Sequence, residues 1–159
     1  FIRDDTIVFE IRIWISNMKG INFAPRIDFT DPNDPRHDVT LVIEGEKIYV
    51  SKQILACHSP VFNAMFYGDF AEKNKKEIEL KDVDRYEFVE LLHVIYSSNK
   101  KITDDSVEFL LKLGDRFLIE SVIERAEEYL IESEYFSNTL KLKIADEYRL
   151  FGLQRYFMQ

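Results

Sequence analysis

An α+β domain is the fold class the sequence predicts, and three observations predict it. Short β-branched and aromatic stretches with alternating apolar residues appear at Thr6–Ile15, Asp38–Val50 and Glu77–Leu80. From Ser51 onward, apart from Glu77–Leu80, apolar residues recur every three or four positions, the period of a helix with one buried face. The 159 residues, 46% of them apolar, suffice for about one domain with its own core.

The elements follow in order. Thr6–Ile15 (TIVFEIRIWI) alternates Phe9, Ile11, Ile13 and Ile15 with charged Glu10 and Arg12, so it reads as a strand buried on one face. Residues 16–37 carry Gly20, Pro25, Pro32 and Pro35 with little periodicity and are expected to be a linker or a loosely docked extension. Asp38–Ile43 and Lys47–Val50 read as a hairpin turning at Glu44–Gly45–Glu46. Ser51–Ala56 is a short helix. Ser59–Pro60 supplies an N-cap and a first-turn proline for the next helix, which presents Val61, Phe62, Met65 and Phe66 and stops at Gly68. Asp69–Lys76 is a polar loop before the strand Glu77–Leu80.

Asp84 with Glu87 three residues on resembles a capping box, and Phe88, Leu91, Leu92 and Ile95 share the face of the helix it opens. The polar run 97–100 breaks the pattern. Thr103 restarts it, with Val107, Leu110, Leu111 and Gly114 on one stripe and Ile119, Val122, Ile123, Ala126 and Leu130 on the next. A further stripe runs Leu140, Ile144, Tyr148, Phe151; Gly152 is expected to end that helix, with Leu153, Tyr156 and Phe157 opening a last one.

Composition narrows the function. The 21 basic and 29 acidic residues leave a net charge of −8, the wrong sign for a general binder of nucleic acid or anionic membranes. The apolar runs are far shorter than the ~20 residues that span a bilayer. A lone Cys57 permits no intrachain disulfide, which favours an intracellular setting, cytoplasmic or nuclear. The chain opens on Phe1 and is expected to be a piece of something longer.

The inventory for catalysis is poor. His37, His58 and His93 have no helical i, i+4 spacing, the five glycines form no phosphate-binding loop, and Cys57–His58 are sequence neighbours whose side chains diverge. The acidic pairs Asp4–Asp5, Asp104–Asp105 and Glu127–Glu128 read as turn, helix-start and surface acids. No enzyme, no metal and no cofactor is the expectation.

The run DVTLVIEGEKIYVSKQILACHSPVFNAMF, from Asp38 to Phe66, resembles the opening of a BTB (POZ) domain. The likeness continues through Ile78–Glu79–Leu80, Asp82–Val83 and Phe88–Tyr96 to about Leu130. It departs at Ser51, where the family usually has His before the Lys, and the expected effect is on local packing. The resemblance implies a small mixed sheet capped by helical hairpins, with the BTB/POZ domain over residues 38–132. Residues 1–15 look like the last strand of a MATH domain, leaving 16–37 as linker. Residues 133–159 resemble part of the 3-box, the helical pair following BTB domains in cullin adaptors. Together these resemble MATH-BTB substrate adaptors of cullin-3 ubiquitin ligases.

That resemblance implies partners and residues. The domain is expected to homodimerise, to bind cullin-3, and to receive substrate protein through a MATH region absent here. Asp38 matches an acidic residue near the dimer groove, and Ile54 matches an interface position, with plain core as its other reading. The hydrophobic-x-Glu triplet that inserts at the cullin surface corresponds to Phe70–Ala71–Glu72. Its pattern alone has no weight, since 42–44, 88–90 and 122–124 match it too; position in the fold singles out Phe70 and Glu72. Phe70 tucked under its own loop is the alternative. The strand 6–15 is expected to pair with a BTB sheet edge or a neighbouring chain. A BTB scaffold that self-associates without binding cullin is the competing function.

Overall fold

The hairpin forms first along the chain because its alternation and its turn agree. In the computed structural model, which describes residues 27–68, 75–96 and 100–158, strand β1 (Val39–Ile43) buries Val39, Leu41 and Ile43 on one face. Strand β2 (Glu46–Val50) buries Ile48 and Val50. They pair antiparallel with Ile43 opposite Glu46, leaving a two-residue turn. Glu44 (φ 52°) and Gly45 (φ 80°) both adopt positive φ, the combination that matches strand twist in two-residue hairpins. A one-residue slip would carry Leu41 and Ile43 to the wrong face, so burial fixes the register.

Helices α1 (Lys52–His58) and α2 (Pro60–Tyr67) then carry the chain over to β3 (Glu77–Glu79). Strand β3 pairs parallel to β1 with Leu41 opposite Ile78, giving the order β2-β1-β3. The sheet is therefore mixed, as expected, and β1 is its middle strand.

The remaining chain is α3 (Arg85–Tyr96), α4 (Val107–Arg116), α5 (Glu120–Glu132), α6 (Asn138–Glu147) and α7 (Phe151–Phe157). The two expected N-caps form. The Ser59 hydroxyl, fully buried, accepts from Phe62 N at 3.1 Å and donates to Phe117 O at 2.5 Å, tying the start of α2 to the end of α4. Asp84 accepts from Glu87 N at 2.9 Å. Between these elements Phe62, Phe66, Phe88 and Phe117 stack and cross at centroid separations from 4.7 to 6.2 Å. Each such ring contributes roughly 1.5–3 kcal/mol by burial. Arg125 on α5 donates to Val94 O at 3.1 Å and Lys100 O at 2.6 Å, closing the carbonyl end of α3.

Two helix ends differ from the expectation. Gly152 does not terminate a helix; it is the second residue of α7. Helix α6 stops four residues earlier, where Arg149 takes φ 56° and Leu150 N donates to Ala145 O at 2.8 Å. Helix α4 ends the same way, with Leu118 at φ 52° and Ile119 N donating to Gly114 O at 2.7 Å. Both are Schellman-type ends with no glycine at the left-handed position. The following Leu150 and Ile119 are buried, and their packing offsets the roughly 1–2 kcal/mol cost of left-handed backbone. The apolar stripe assigned to one helix breaks with it: Ile144 is buried, Leu140 is 37% exposed and Phe151 67% exposed.

At Ser51, where the sequence departs from the BTB pattern, the side chain is buried and the backbone N–H donates to the Tyr96 hydroxyl at 2.7 Å. Burial raises the Tyr96 phenol to about 12, the Ser51 bond opposing this and Asp38 adding to it. The folded value lies above the unfolded one, so this stability is fully present below pH ~10 and is lost as pH rises towards 12. We expect wild type to lose on the order of 2–3 kcal/mol relative to Tyr96→Phe across that window. Denaturant titrations at pH 9, 10.5 and 12 check this; parallel curves for the two proteins would contradict it.

Candidate functional site

Three surfaces assemble around the sheet. The first lies where β1 begins and α1 begins. Asp38 is exposed, and its carboxylate accepts from Lys52 N at 2.7 Å while its own N–H donates to Val50 O at 3.0 Å. The residue that formally precedes α1, Ser51, makes no side-chain cap bond. Asp38 thus caps α1 from across the sheet, a structural task the sequence did not reveal. Ile54, one turn further on, is half-buried and stands outside the hydrophobic core cluster.

The second surface is a groove of about 760 Å³ between α2 and β3. Val61, Ala64, Met65 and Ile78 give it an apolar floor; Lys75, Glu77, Glu79 and Lys81 line its rim. Glu77 also pairs with Lys47 across the sheet. The groove opens between the two ends of segment 69–74. Phe70 and Glu72 fall inside that segment and so lie outside the described residues, as does the strand expected at 6–15.

The third surface is the helical pair α6–α7. Ser137 caps α6, accepting from Leu140 N at 3.3 Å. Lys141, only 5% exposed, sends its ammonium to Ile131 O at 3.5 Å near the end of α5. Leu150, before α7, makes no side-chain cap bond; Glu127 of α5 takes that place, accepting from Leu153 N at 2.8 Å. Outward, the pair shows Leu142, Phe151, Tyr156 and Met158.

Among the described residues no group of three or more His, Cys, Asp or Glu is placed to hold a metal ion, and no helix is long and apolar enough to cross a membrane. Of the acid pairs of the sequence, Asp104 and Glu127 have structural partners, and Asp4–Asp5 lies outside the described residues. Asp104 accepts from Tyr129 Oη at 2.5 Å and from Ser133 Oγ at 3.1 Å, and the Tyr129 phenol is raised chiefly by that carboxylate.

The model of the BTB/POZ domain matches residues 30–147. This chain belongs to the BTB/POZ family. It is 42% identical over 97% of its length to BTB and MATH domain-containing protein 38 of Caenorhabditis elegans, spanning 40% of that protein. It is likewise 42% identical over 97% of its length to the C. elegans BTB and MATH domain-containing protein 36, spanning 48% of it. The chain therefore spans under half the length of both relatives. Among solved structures, the BTB domain of human gigaxonin superposes with a TM-score of 0.51 at 26% identity, over 59% of this chain and 77% of that one.

Within this BTB chain the sequence reading missed Glu127, taken there as a surface acid. The signal was present: Glu127 falls four residues after Ile123 and three before Leu130, at the edge of the buried stripe of α5. What decides its role is Gly152, where a Cβ would stand 2.8 Å from the Glu127 carboxylate; the bare backbone lets the acid reach the α7 amides. Glu127→Ala should cost about 1 kcal/mol, lower Tm by roughly 2–5 °C and speed amide exchange across α7. Glu127→Gln, whose amide oxygen still accepts from Leu153 N, should recover most of both. Equal exchange in all three proteins would remove Glu127 from this role.

Proposed function

We propose that this BTB chain is a homodimerising adaptor that recruits cullin-3 to a ubiquitin ligase, substrate being held by a MATH region elsewhere in the parent protein. The observation that carries the reading is the α2–β3 groove, with its apolar floor of Val61, Ala64, Met65 and Ile78 and its charged rim. An apolar trough rimmed by charge has the makeup of a site for an amphipathic helix. The α6–α7 pair, with Phe151 and Tyr156 exposed, extends the surface available to the same partner. The likeness to MATH-BTB relatives over nearly the whole chain supports the class. The mechanism is proximity: substrate and a charged ubiquitin carrier held on one assembly react at high effective concentration, and dimerisation adds bivalency. The work is intracellular, in cytoplasm or nucleus, and needs no cofactor.

Calorimetry with the N-terminal part of cullin-3 tests the reading. Phe70→Ala should weaken binding about tenfold or more, with dimer mass and Tm unchanged. Equal affinity of wild type and variant removes Phe70 and Glu72 from the site. No binding by wild type leaves the self-associating scaffold as the function.

The dimer is tested separately. At the half-buried Ile54, Ile54→Lys should shift mass by light scattering from dimer to monomer, with Tm at high dilution held to within a few degrees. An unaltered dimer would dismiss Ile54, and Asp38 beside it, from the interface.

A further inference from the structure

Residues 27–37, placed in the linker by the sequence reading, lie against the BTB core in an ordered path. Phe29 is 3% exposed. Its carbonyl accepts from Tyr49 N at 2.8 Å, so the segment pairs with the outer side of β2. Its ring meets Tyr96 edge-on at 5.0 Å and His93 at 5.2 Å, both on α3, and stacks on His37 at 6.1 Å. His37 is the strap's own far end, so the segment closes around its anchor.

Between these ends the chain is stiffened by a repeat. Asp28, Asp31 and Asp34 stand three residues apart, and each carboxylate accepts from the backbone N–H two residues on: Thr30 at 2.8 Å, Asn33 at 2.9 Å and Arg36 at 2.9 Å. Thr30 adds its hydroxyl to Asp28 at 2.7 Å, and Arg36 its guanidinium to Asp34 at 2.5 Å. Pro32 and Pro35 each follow one of these acids by a single position and lock φ there. The Arg36 bonds hold the Asp34 carboxyl well below its usual range, so that turn stays closed at neutral pH.

We infer that residues 27–37 form a stiff strap that fixes the direction in which the chain N-terminal to Ile27 leaves the BTB core. A flexible tether of these eleven residues would have a root-mean-square span of about 18 Å and point anywhere. The anchored strap instead gives the preceding residues one point and direction of departure. Its purpose rests on the adaptor reading: in a dimer, fixed exits would set the spacing of two substrate-binding parts and favour substrates with a matching spacing of two sites.

Electron–electron distance measurement on the 159-residue chain tests this. One spin label goes on Cys57, the single cysteine and exposed, and one on Ala24→Cys, just before the strap, with labelled chain diluted in a large excess of unlabelled wild-type chain so that only distances within one protomer are read. The wild-type background should give one narrow distance distribution. Phe29→Ala should broaden it at least twofold, and Pro32→Gly with Pro35→Gly should broaden it while Phe29 stays buried. Dimer mass and cullin-3 affinity should not change in any of these proteins, which separates this result from the adaptor tests. A wild-type distribution as wide as a random tether's overturns the inference, and that measurement needs no variant to fold. A narrow distribution in Phe29→Ala overturns it equally.

Discussion

A three-stranded sheet has only one strand paired on both sides, and the rest of this molecule follows from how its two edges are treated. Strand β1 occupies the middle, with Leu41 opposite both Ile48 and Ile78. Among the described residues β2 and β3 each lack a second strand partner, and edge backbone groups of this kind attract other chains when left open. The β2 edge is met from within the chain by Phe29. The β3 edge borders the groove against α2. The two sides of one sheet thus have different tasks: one holds the incoming chain and the other presents an apolar trough.

The helical layer makes this division rigid. Ser59 joins α2 to the end of α4, and Arg125 closes the end of α3 from α5. Arg116, on α4, donates to the carbonyls of Lys81 and Asp82, just beyond β3. Both groove walls, α2 and the segment just after β3, are therefore held to α4 and do not depend on their own short lengths. The same logic continues to the C-terminal pair, which is attached by Glu127 and Lys141 reaching across from or to α5. In an adaptor, which acts by holding two macromolecules at a set separation, such cross-element bonds matter more than any single contact with a partner.

Legibility in the sequence followed the range of the interaction. The hairpin, the Ser59–Pro60 helix start, the Asp84 cap and the stripes of α3, α4 and α5 were readable because alternation, helical period and capping act over a few residues. The helix ends at Leu118 and Arg149 were not, because a left-handed residue without glycine is tolerated only when the next side chain finds a buried place. Glu127 was misread because its partner is a backbone amide 26 residues away. For the candidate site, Ile54 and Asp38 were placed by resemblance. Phe70 and Glu72 also came from resemblance and stand outside the described residues, whereas the α2–β3 groove was invisible in the sequence.

Sequence alone determined the fold class, the existence of the β1–β2 hairpin, the order of the helices and the poverty of catalytic groups, since each is set by local pattern or by plain inventory; the turn, expected over Glu44–Glu46, is two residues long, with Glu46 already paired to Ile43. Tertiary structure decided which edge of the sheet the strap covers, where the groove lies and which acid supports α7. Those depend on groups distant along the chain arriving at the same place, and no spacing rule in one dimension encodes that meeting.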